Sequence, residues 1–432
     1  MKEFLNDKVI PKIMAFINTK AIMALKDGLL YAMPMMIIGS VFLLLAFFPY
    51  QPIADGLAEM GLTPILTQVY ESTFNLMAII AAVGIAYTYV KNEKFSALPA
   101  GVISMCSFIL IQPSSIMTEN GAASVILRTW VAGKGMIGAI IIGLFTGVVY
   151  TFFLKRKLTI KLPGGVPVGV VNSFTALIPG FVIILTTAFV YGISEMALKA
   201  TPIELVYQVI QAPLQGMTDS FGGVLVMSFM IPFLWLFGVH GTTIVKGIMD
   251  PLLSANTAEN QALLLAGKEL TLDNGAHIVT QQFLDNFIIM TGAGITIGIV
   301  VYLVFFGKSK QGKQIGKLSV GPAIFNINEP ITFGVPIVLN PLMAVPFLLT
   351  PVITGTIQYW AIYLGICPMY GGVLAPWTTP PILSGFIVGG WRAALLQVVI
   401  LALSVIIYFP FIRAVDKMYQ KQEQAVEGET QK

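Results

Sequence analysis

Long apolar runs separated by short polar stretches fill the chain from residue 29 to residue 412, and most could carry a helix through the ~30 Å of a bilayer's hydrocarbon. They predict spans at about 29–48, 73–90, 98–112, 135–154, 174–197, 222–238, 285–306, 342–366 and 391–412. Ahead of them Phe4, Leu5, Val9, Ile10, Ile13, Met14, Phe16 and Ile17 recur at near-helical spacing among charged residues. This predicts an amphipathic helix over residues 1–28, lying on the membrane surface. Two stretches break the pattern. Residues 318–341 and 367–390 are rich in proline, glycine and polar side chains, and a plain helix through either would leave backbone groups unsatisfied. Both are read as re-entrant or extended segments buried in protein, the form that binding-site backbone takes in transporters.

Charge orients the spans. Basic residues cluster at Lys91 and Lys94, at Lys155-Arg156-Lys157, at Lys308, Lys310, Lys313 and Lys317, and at Arg413, Lys417 and Lys421, which marks those ends as cytoplasmic. Residues 49–71, read as an outer loop, hold Asp55, Glu59 and Glu71 and no Lys or Arg. A single span at 285–306 would put the 308–317 lysines outside, so one more crossing is needed between residues 199 and 285. Either 202–214 or 242–265, the latter broken at Asp250-Pro251, restores parity. The expected fold is thus an all-α polytopic membrane protein of about ten transmembrane helices, two re-entrant hairpin segments and an amphipathic N-terminal helix, with both termini cytoplasmic. Gly143-x-x-x-Gly147 reads equally as a site of close helix approach or as ordinary glycine in a membrane helix.

Composition narrows the function classes. The 432 residues are 56% hydrophobic and 11% charged, against about 25% charged in soluble domains, and the mean hydropathy is +0.83. No stretch is left for a separate soluble domain of ~100 residues, so any soluble catalytic domain is expected on another chain. A net charge of +4 gives no case for nucleic acid. Cys106 and Cys367 stand alone in apolar surroundings, which argues against a disulfide, a metal site or a thiolate nucleophile. The first span follows Lys2, Lys8, Lys12, Lys20 and Lys26 with no small-residue cleavage signal, so it is read as a retained span. No cofactor or metal is expected.

Against this background Phe325-Asn326-Ile327-Asn328-Glu329-Pro330 stands out. A carboxylate inside a membrane costs roughly 2.5–3.5 kcal/mol on insertion scales and is usually functional. Beside a sugar hydroxyl, Glu329 could orient it and accept its proton as the oxygen attacks phosphorus, while Asn326 and Asn328 offer donors and acceptors to a polyhydroxylated ligand. Trp235 and His240 lie in Trp235-Leu236-Phe237-Gly238-Val239-His240-Gly241, where the glycines allow the backbone near a ligand. Trp377, in Ala375-Pro376-Trp377-Thr378-Thr379-Pro380-Pro381, could stack on the apolar face of a pyranose. His277 and Asp285 flank Thr280-Gln281-Gln282 and read equally as surface or capping groups. Gly307-Lys308-Ser309 lacks the upstream glycine of a phosphate-binding loop.

Over nearly its whole length the chain resembles the membrane-embedded IIC component of a bacterial phosphoenolpyruvate-dependent sugar phosphotransferase system, in the lactose/cellobiose/diacetylchitobiose family. The motifs are Lys26-Asp27-Gly28 with Met33-Pro34 and Gly39-Ser40, Pro163-Gly164-Gly165-Val166-Pro167 with Ser173-Phe174, Gly238-Val239-His240-Gly241, Gly292-Ala293-Gly294, and the Glu329 block followed by Phe333-Gly334 and Asn340-Pro341. The last block is the most specific.

The resemblance implies a homodimeric permease of the bacterial inner membrane that binds a β-linked disaccharide of the cellobiose, diacetylchitobiose or lactose class. It implies residues 1–28 as a cytoplasmic helix, 29–198 as a dimerising bundle, 199–413 as the sugar-binding and transport bundle, and 414–432 as a cytoplasmic tail. Glu329 and His240 would be catalytic; Trp235, Trp377, Asn326, Asn328 and His277 would bind substrate. The phosphoryl group would come from a phosphocysteine on a soluble IIB protein charged through IIA. His277 stands where the family's Asn-Ile-Val-Thr stretch has asparagine, a departure that bears on sugar choice. The alternative is an ion-coupled sugar transporter using Glu329 as proton carrier, although Asp27, Glu195, Asp250 and Asp285 all fall near expected span ends. A membrane enzyme acting on a lipid-linked sugar would call for an acidic metal-binding cluster that the sequence lacks.

Overall fold

Most of the predicted apolar runs form helices in the computed structural model, which describes residues 15, 19–47, 51–118, 121–163, 165–335, 337–338 and 340–430, without the side chains of 51 and 426–430. The expected surface helix over 1–28 falls largely outside the described residues. Only its last part is seen, as α1 (Lys20–Leu29), followed after a turn by α2 (Met33–Ala46). Then come α3 (Leu62–Glu71), α4 (Met77–Asn92), α5 (Leu98–Leu110), α6 (Met136–Lys155) and α7 (Val168–Ile193). The second half contains α8 (Phe221–Leu236), α9 (Gly241–Leu265), α10 (Ile297–Phe305), α11 (Lys310–Ile324), α12 (Glu329–Gly334), α13 (Pro341–Tyr363) and α14 (Leu383–Thr430), the last kinked where Gly389 and Gly390 leave helical geometry. Among the described residues the sheet structure is one antiparallel hairpin in the polar loop after α5, with β1 (Ser115–Thr118) paired to β2 (Gly121–Ser124) so that Ser115 faces Ser124 and Thr118 faces Gly121.

Among the described residues, six helical stretches are long and apolar enough to cross a membrane: Lys20–Ala46, Leu62–Asn92, Gly133–Lys155, Val168–Leu198, Pro341–Tyr363 and Leu383–Ala425. A seventh arises if Pro202–Thr218 and Phe221–Leu236, bent by 72° at their junction, are taken as one span. The chain divides into two compact units, residues 1–216 with 250–259, and residues 217–249 with 260–432.

In the first unit α4 is the central helix. Gly143 and Gly147 of α6 face it so closely that a β-carbon at Gly143 would lie 2.9 Å from Cβ of Ile85, and one at Gly147 would lie 2.7 Å from Cβ of Tyr89. The GxxxG spacing therefore lets α6 approach α4. Where α4 ends, Glu93 accepts from both Lys20 of α1 and Lys155 of α6, joining three helices at one end of the unit. The Lys155 bond first, and the Lys20 bond after it, hold the Glu93 carboxyl below its ordinary value. A depressed carboxylate stabilises the fold above its unfolded-state pKa and loses that contribution as pH falls through its folded value. Glu93→Gln should therefore lower the melting temperature at pH 7 and flatten its decline below about pH 4.5. Identical melting curves for the two proteins from pH 7 to pH 3 would contradict this.

The structure corrects three expectations. Residues 49–71 are not an open loop: 51–59 and α3 are helical, because Leu62, Ile65, Leu66, Val69 and Tyr70 recur every three or four residues. Residues 242–265 are not broken at Asp250-Pro251. The helix runs through the proline, with Leu253 and Ala255 fully buried beside it, and packing outweighs the lost backbone bond. Residues 285–306 are not a plain helical span. A π-turn over Leu284–Ile288 leads into irregular backbone, and only α10 is helical thereafter. Within that stretch Thr291, Gly292, Gly294 and Ile295 all have left-handed backbone, with φ of 55°, 87°, 82° and 52°. Two β-branched residues at positive φ are costly, so the surrounding contacts must hold this segment open.

Candidate functional site

The unwound stretch at 291–295 is held by side chains from two directions, all within the second unit. Ser404 Oγ of α14 donates to Ile295 O (2.5 Å) and accepts from Gly298 N–H (3.1 Å), while Tyr408 Oη donates to Gly294 O (2.8 Å). The other direction is the Asn-x-Asn-Glu-Pro block. After the end of α11, Asn326 adopts φ 64°, a conformation that asparagine tolerates better than most residues. Its Oδ1 accepts from Thr291 N–H (2.7 Å) and its Nδ2 donates to the carbonyls of Trp377 (2.6 Å) and Thr379 (2.9 Å). Asn326 thus ties together the 291–295 loop, the Glu329 block and the proline-rich segment that carries Trp377.

Asn328 Nδ2 donates to Ala293 O at 2.7 Å, and its own carbonyl accepts from Ile331 and Thr332 at the start of α12. Gly292 is required beneath it, since a β-carbon there would lie 2.2 Å from Asn328 Cγ. From the sequence, both asparagine amides are expected to meet the ligand. The structure directs both to backbone, because an unwound segment in an apolar setting must have its N–H and C=O groups satisfied by something.

Glu329 opens α12 with Pro330 behind it, a position where proline's missing N–H costs the helix nothing. Its side chain is half-buried and, among the described residues, has no hydrogen-bond or ion-pair partner. The helix it opens folds back along α11: a β-carbon at Gly334 would lie 3.1 Å from Cγ2 of Ile315.

Trp235 and His240 reach the same block through α12. The buried Trp235 ring lies 4.5 Å from the His240 ring and 6.2 Å, edge-on, from Phe333 of α12, while Trp235 Nε1 donates to Thr242 Oγ1 at 3.4 Å. His240 is exposed and caps α9, its Nδ1 accepting from Thr243 N–H at 3.2 Å. A backbone N–H can only donate, so the proton of the neutral ring resides on Nε2, which is then a donor. Trp377 is 46% exposed and is fixed at its backbone by Asn326.

His277 sits apart from these contacts. Its Nδ1 lies 3.0 Å from Asp219 Oδ2, its N–H donates to Asn260 Oδ1 (2.7 Å), and its carbonyl accepts from Asn260 Nδ2 (2.8 Å). Asn260 also donates to Tyr370 O (2.9 Å), so its side chain joins the His277 backbone to the start of the Trp377 segment, and Gln282 holds that segment further by donating to Gly371 O and Val373 O.

The sequence reading missed Asp219, Lys246, Asn260 and Gln397. Lys246 pairs with Asp285, which also accepts from Gln281 Nε2 at 2.9 Å. Gln397, wholly buried in α14, accepts from the N–H groups of Ile382 (2.5 Å) and Gly385 (2.9 Å) and donates to Asn286 O (2.8 Å). Lys246 carried a usable signal, as the only basic residue between Lys199 and Lys268. Asp219 carried little, because Thr218-Asp219-Ser220 reads as a helix cap.

Comparison with known proteins places this arrangement in a family. Residues 26–351 match the family described as "Phosphotransferase system, EIIC". The chain is 36% identical to the lichenan permease IIC component of Bacillus subtilis (strain 168), covering 99% of this chain and 96% of the relative. It is 35% identical to the cellobiose-specific EIIC component of Geobacillus stearothermophilus, over 98% and 95% of the two chains. Among solved structures, that of ChbC, the IIC component of the N,N'-diacetylchitobiose-specific phosphotransferase system, superposes with a TM-score of 0.92 at 33% identity over 98% of this chain and 99% of that one. With its helical spans, the chain is a multi-pass membrane protein that belongs to the EIIC family of the phosphotransferase system.

Proposed function

We propose that this chain takes up a β-linked disaccharide of the cellobiose, diacetylchitobiose or lactose class and presents one of its hydroxyls to a phosphocysteine on a soluble IIB protein. Relatives named for lichenan and cellobiose and the ChbC structure support the substrate class. In this reading the chain crosses the membrane ten times with both termini cytoplasmic. Residues 318–341 and 367–390 are the re-entrant segments, and residues 29–198 carry the contact of a homodimer. The observation that carries the reading is Glu329, a half-buried carboxylate without a partner among the described residues, at the turn between α11 and α12.

Chemically, the sugar hydroxyl oxygen attacks phosphorus, the P–S bond breaks, and the IIB cysteine leaves as its thiolate. Glu329 accepts the hydroxyl proton, which makes the oxygen nucleophilic as the new P–O bond forms. His240 donates through Nε2 to the sugar or to the phosphoryl oxygens. Trp235 and Trp377 offer ring faces to the pyranoses. Asn326 and Asn328 act through the backbone they hold, and His277, fixed against Asp219, contributes to the choice of sugar. Phosphorylation withdraws the sugar from the transport equilibrium, so accumulation needs no ion gradient. Uptake into vesicles holding this chain and its soluble partners should require phosphoenolpyruvate and survive collapse of the proton gradient. Uptake abolished by that collapse would favour the ion-coupled alternative.

A further inference from the structure

The helix that delivers Glu329 carries its charges at the wrong end for its own stability. Lys310 and Lys313 lie in the first turn of α11, where the helix dipole disfavours cations, and α11 contains no acidic residue. Lys310, Lys313, Lys317 and Ile324 fall within about 60° of one another around the helix and are exposed, forming one stripe from the N-terminal end toward Phe325 and Glu329. Among the described residues neither Lys313 nor Lys317 has an ion pair. The stripe becomes apolar as it approaches the Glu329 block, with Ile324 45% and Phe325 51% exposed.

The fold instead supplies the missing negative charge from α14. Asp416, itself buried, accepts from the N–H groups of Lys308 (2.9 Å) and Ser309 (3.1 Å) and from Ser309 Oγ (2.5 Å), and Glu423 accepts from the N–H groups of Lys310 (3.1 Å) and Gln311 (2.8 Å). Two carboxylates, two helical turns apart, thus cap the N-terminus of α11 and fix it against α14. Exposed Arg413, Lys417 and Lys421 follow at intervals of four residues on the adjoining flank of α14. The lysine stripe is held rigid by anions that act on the backbone, which leaves the Lys313 and Lys317 ammonium groups for an external anion.

We propose that this basic stripe on α11, continued by Ile324 and Phe325, is the docking surface for phosphorylated IIB, an inference that rests on the group-translocation reading. A phosphocysteine carries up to two negative charges. It must be brought to a hydroxyl beside Glu329, and the stripe leads from the lysine end of α11 to its far end, next to Phe325, over about 21 Å. Anionic lipid is the competing occupant.

The test uses the full chain in vesicles with the soluble components, phosphoenolpyruvate and a disaccharide, titrating phosphorylated IIB. The double variant Lys313→Glu, Lys317→Glu should raise the KM for phosphorylated IIB about tenfold or more, with kcat and the disaccharide dissociation constant within about twofold of wild type. The wild-type KM should itself rise with salt. The Lys313→Gln, Lys317→Gln variant should fall between the two. The defect should be the same in phosphatidylcholine vesicles and in vesicles containing phosphatidylglycerol. An unchanged KM overturns the proposal, and a defect confined to phosphatidylglycerol vesicles assigns the lysines to lipid and overturns it as well. Failure of wild type to form any sugar phosphate would instead remove the underlying reading.

Discussion

Glu329→Gln is expected to leave disaccharide binding within about tenfold of wild type and to lower phosphoryl transfer by about a hundredfold to ten-thousandfold. Glutamine keeps the shape and one acceptor oxygen of Glu329, so it can still meet a sugar hydroxyl. It cannot take the proton. Because Glu329 has no partner among the described residues, the change breaks no ion pair and leaves no buried lysine uncompensated. The effect should therefore fall on kcat, with little change in melting temperature. Binding by calorimetry and transfer from phosphorylated IIB, measured on the same preparation, separate these quantities. Transfer at the wild-type rate would remove Glu329 from the chemistry.

Asn326→Ala should have the largest effect on the site's architecture. It leaves Thr291 N–H and the carbonyls of Trp377 and Thr379 without their side-chain partner, at about 1–3 kcal/mol for each group that water does not reach. It also places alanine at φ 64°. The destabilisation should be about 3 kcal/mol or more, and disaccharide affinity and transfer should fall together, since Asn326 fixes both the Trp377 segment and the Glu329 block. Asn326→Gly separates the two causes, because glycine accepts the backbone conformation and still lacks the amide. Glycine should be nearly as damaging as alanine. If Asn326→Gly behaves as wild type in melting and transport, the side-chain clamp is not what holds the site.

How much of this was legible in the chain depended on what each segment asks of its residues. The spans expected at 98–112, 135–154 and 342–366 lie close to α5, α6 and α13, because a lipid- or protein-facing helix announces itself by apolar length alone. The 285–306 stretch has the same composition and is not a plain helix, since what unwinds it is the left-handed backbone of Thr291 and Ile295, residues that ordinarily avoid it. Gly292 and Gly294 were the only local warning. The Glu329 block stood out because a carboxylate and two amides are rare in an oily sequence, but donor and acceptor inventories carry no direction. Asn326 and Asn328 proved to face backbone 35 residues upstream, a pairing that only the tertiary fold defines. Pro251 misled in the opposite sense, because the buried residues that follow it, Leu252, Leu253 and Ala255 among them, keep α9 helical through it.

In the proposed mechanism sugar leaves this protein as a phosphate made at its own site. This is tested most directly by giving the purified chain, in vesicles loaded with a disaccharide, IIB carrying ³²P on its cysteine and no other phosphoryl source. Label lost from IIB is expected to appear in disaccharide phosphate in equal amount, and Glu329→Gln is expected to slow that transfer by about a hundredfold or more. Label that stays on IIB while unmodified disaccharide crosses the membrane would contradict the mechanism.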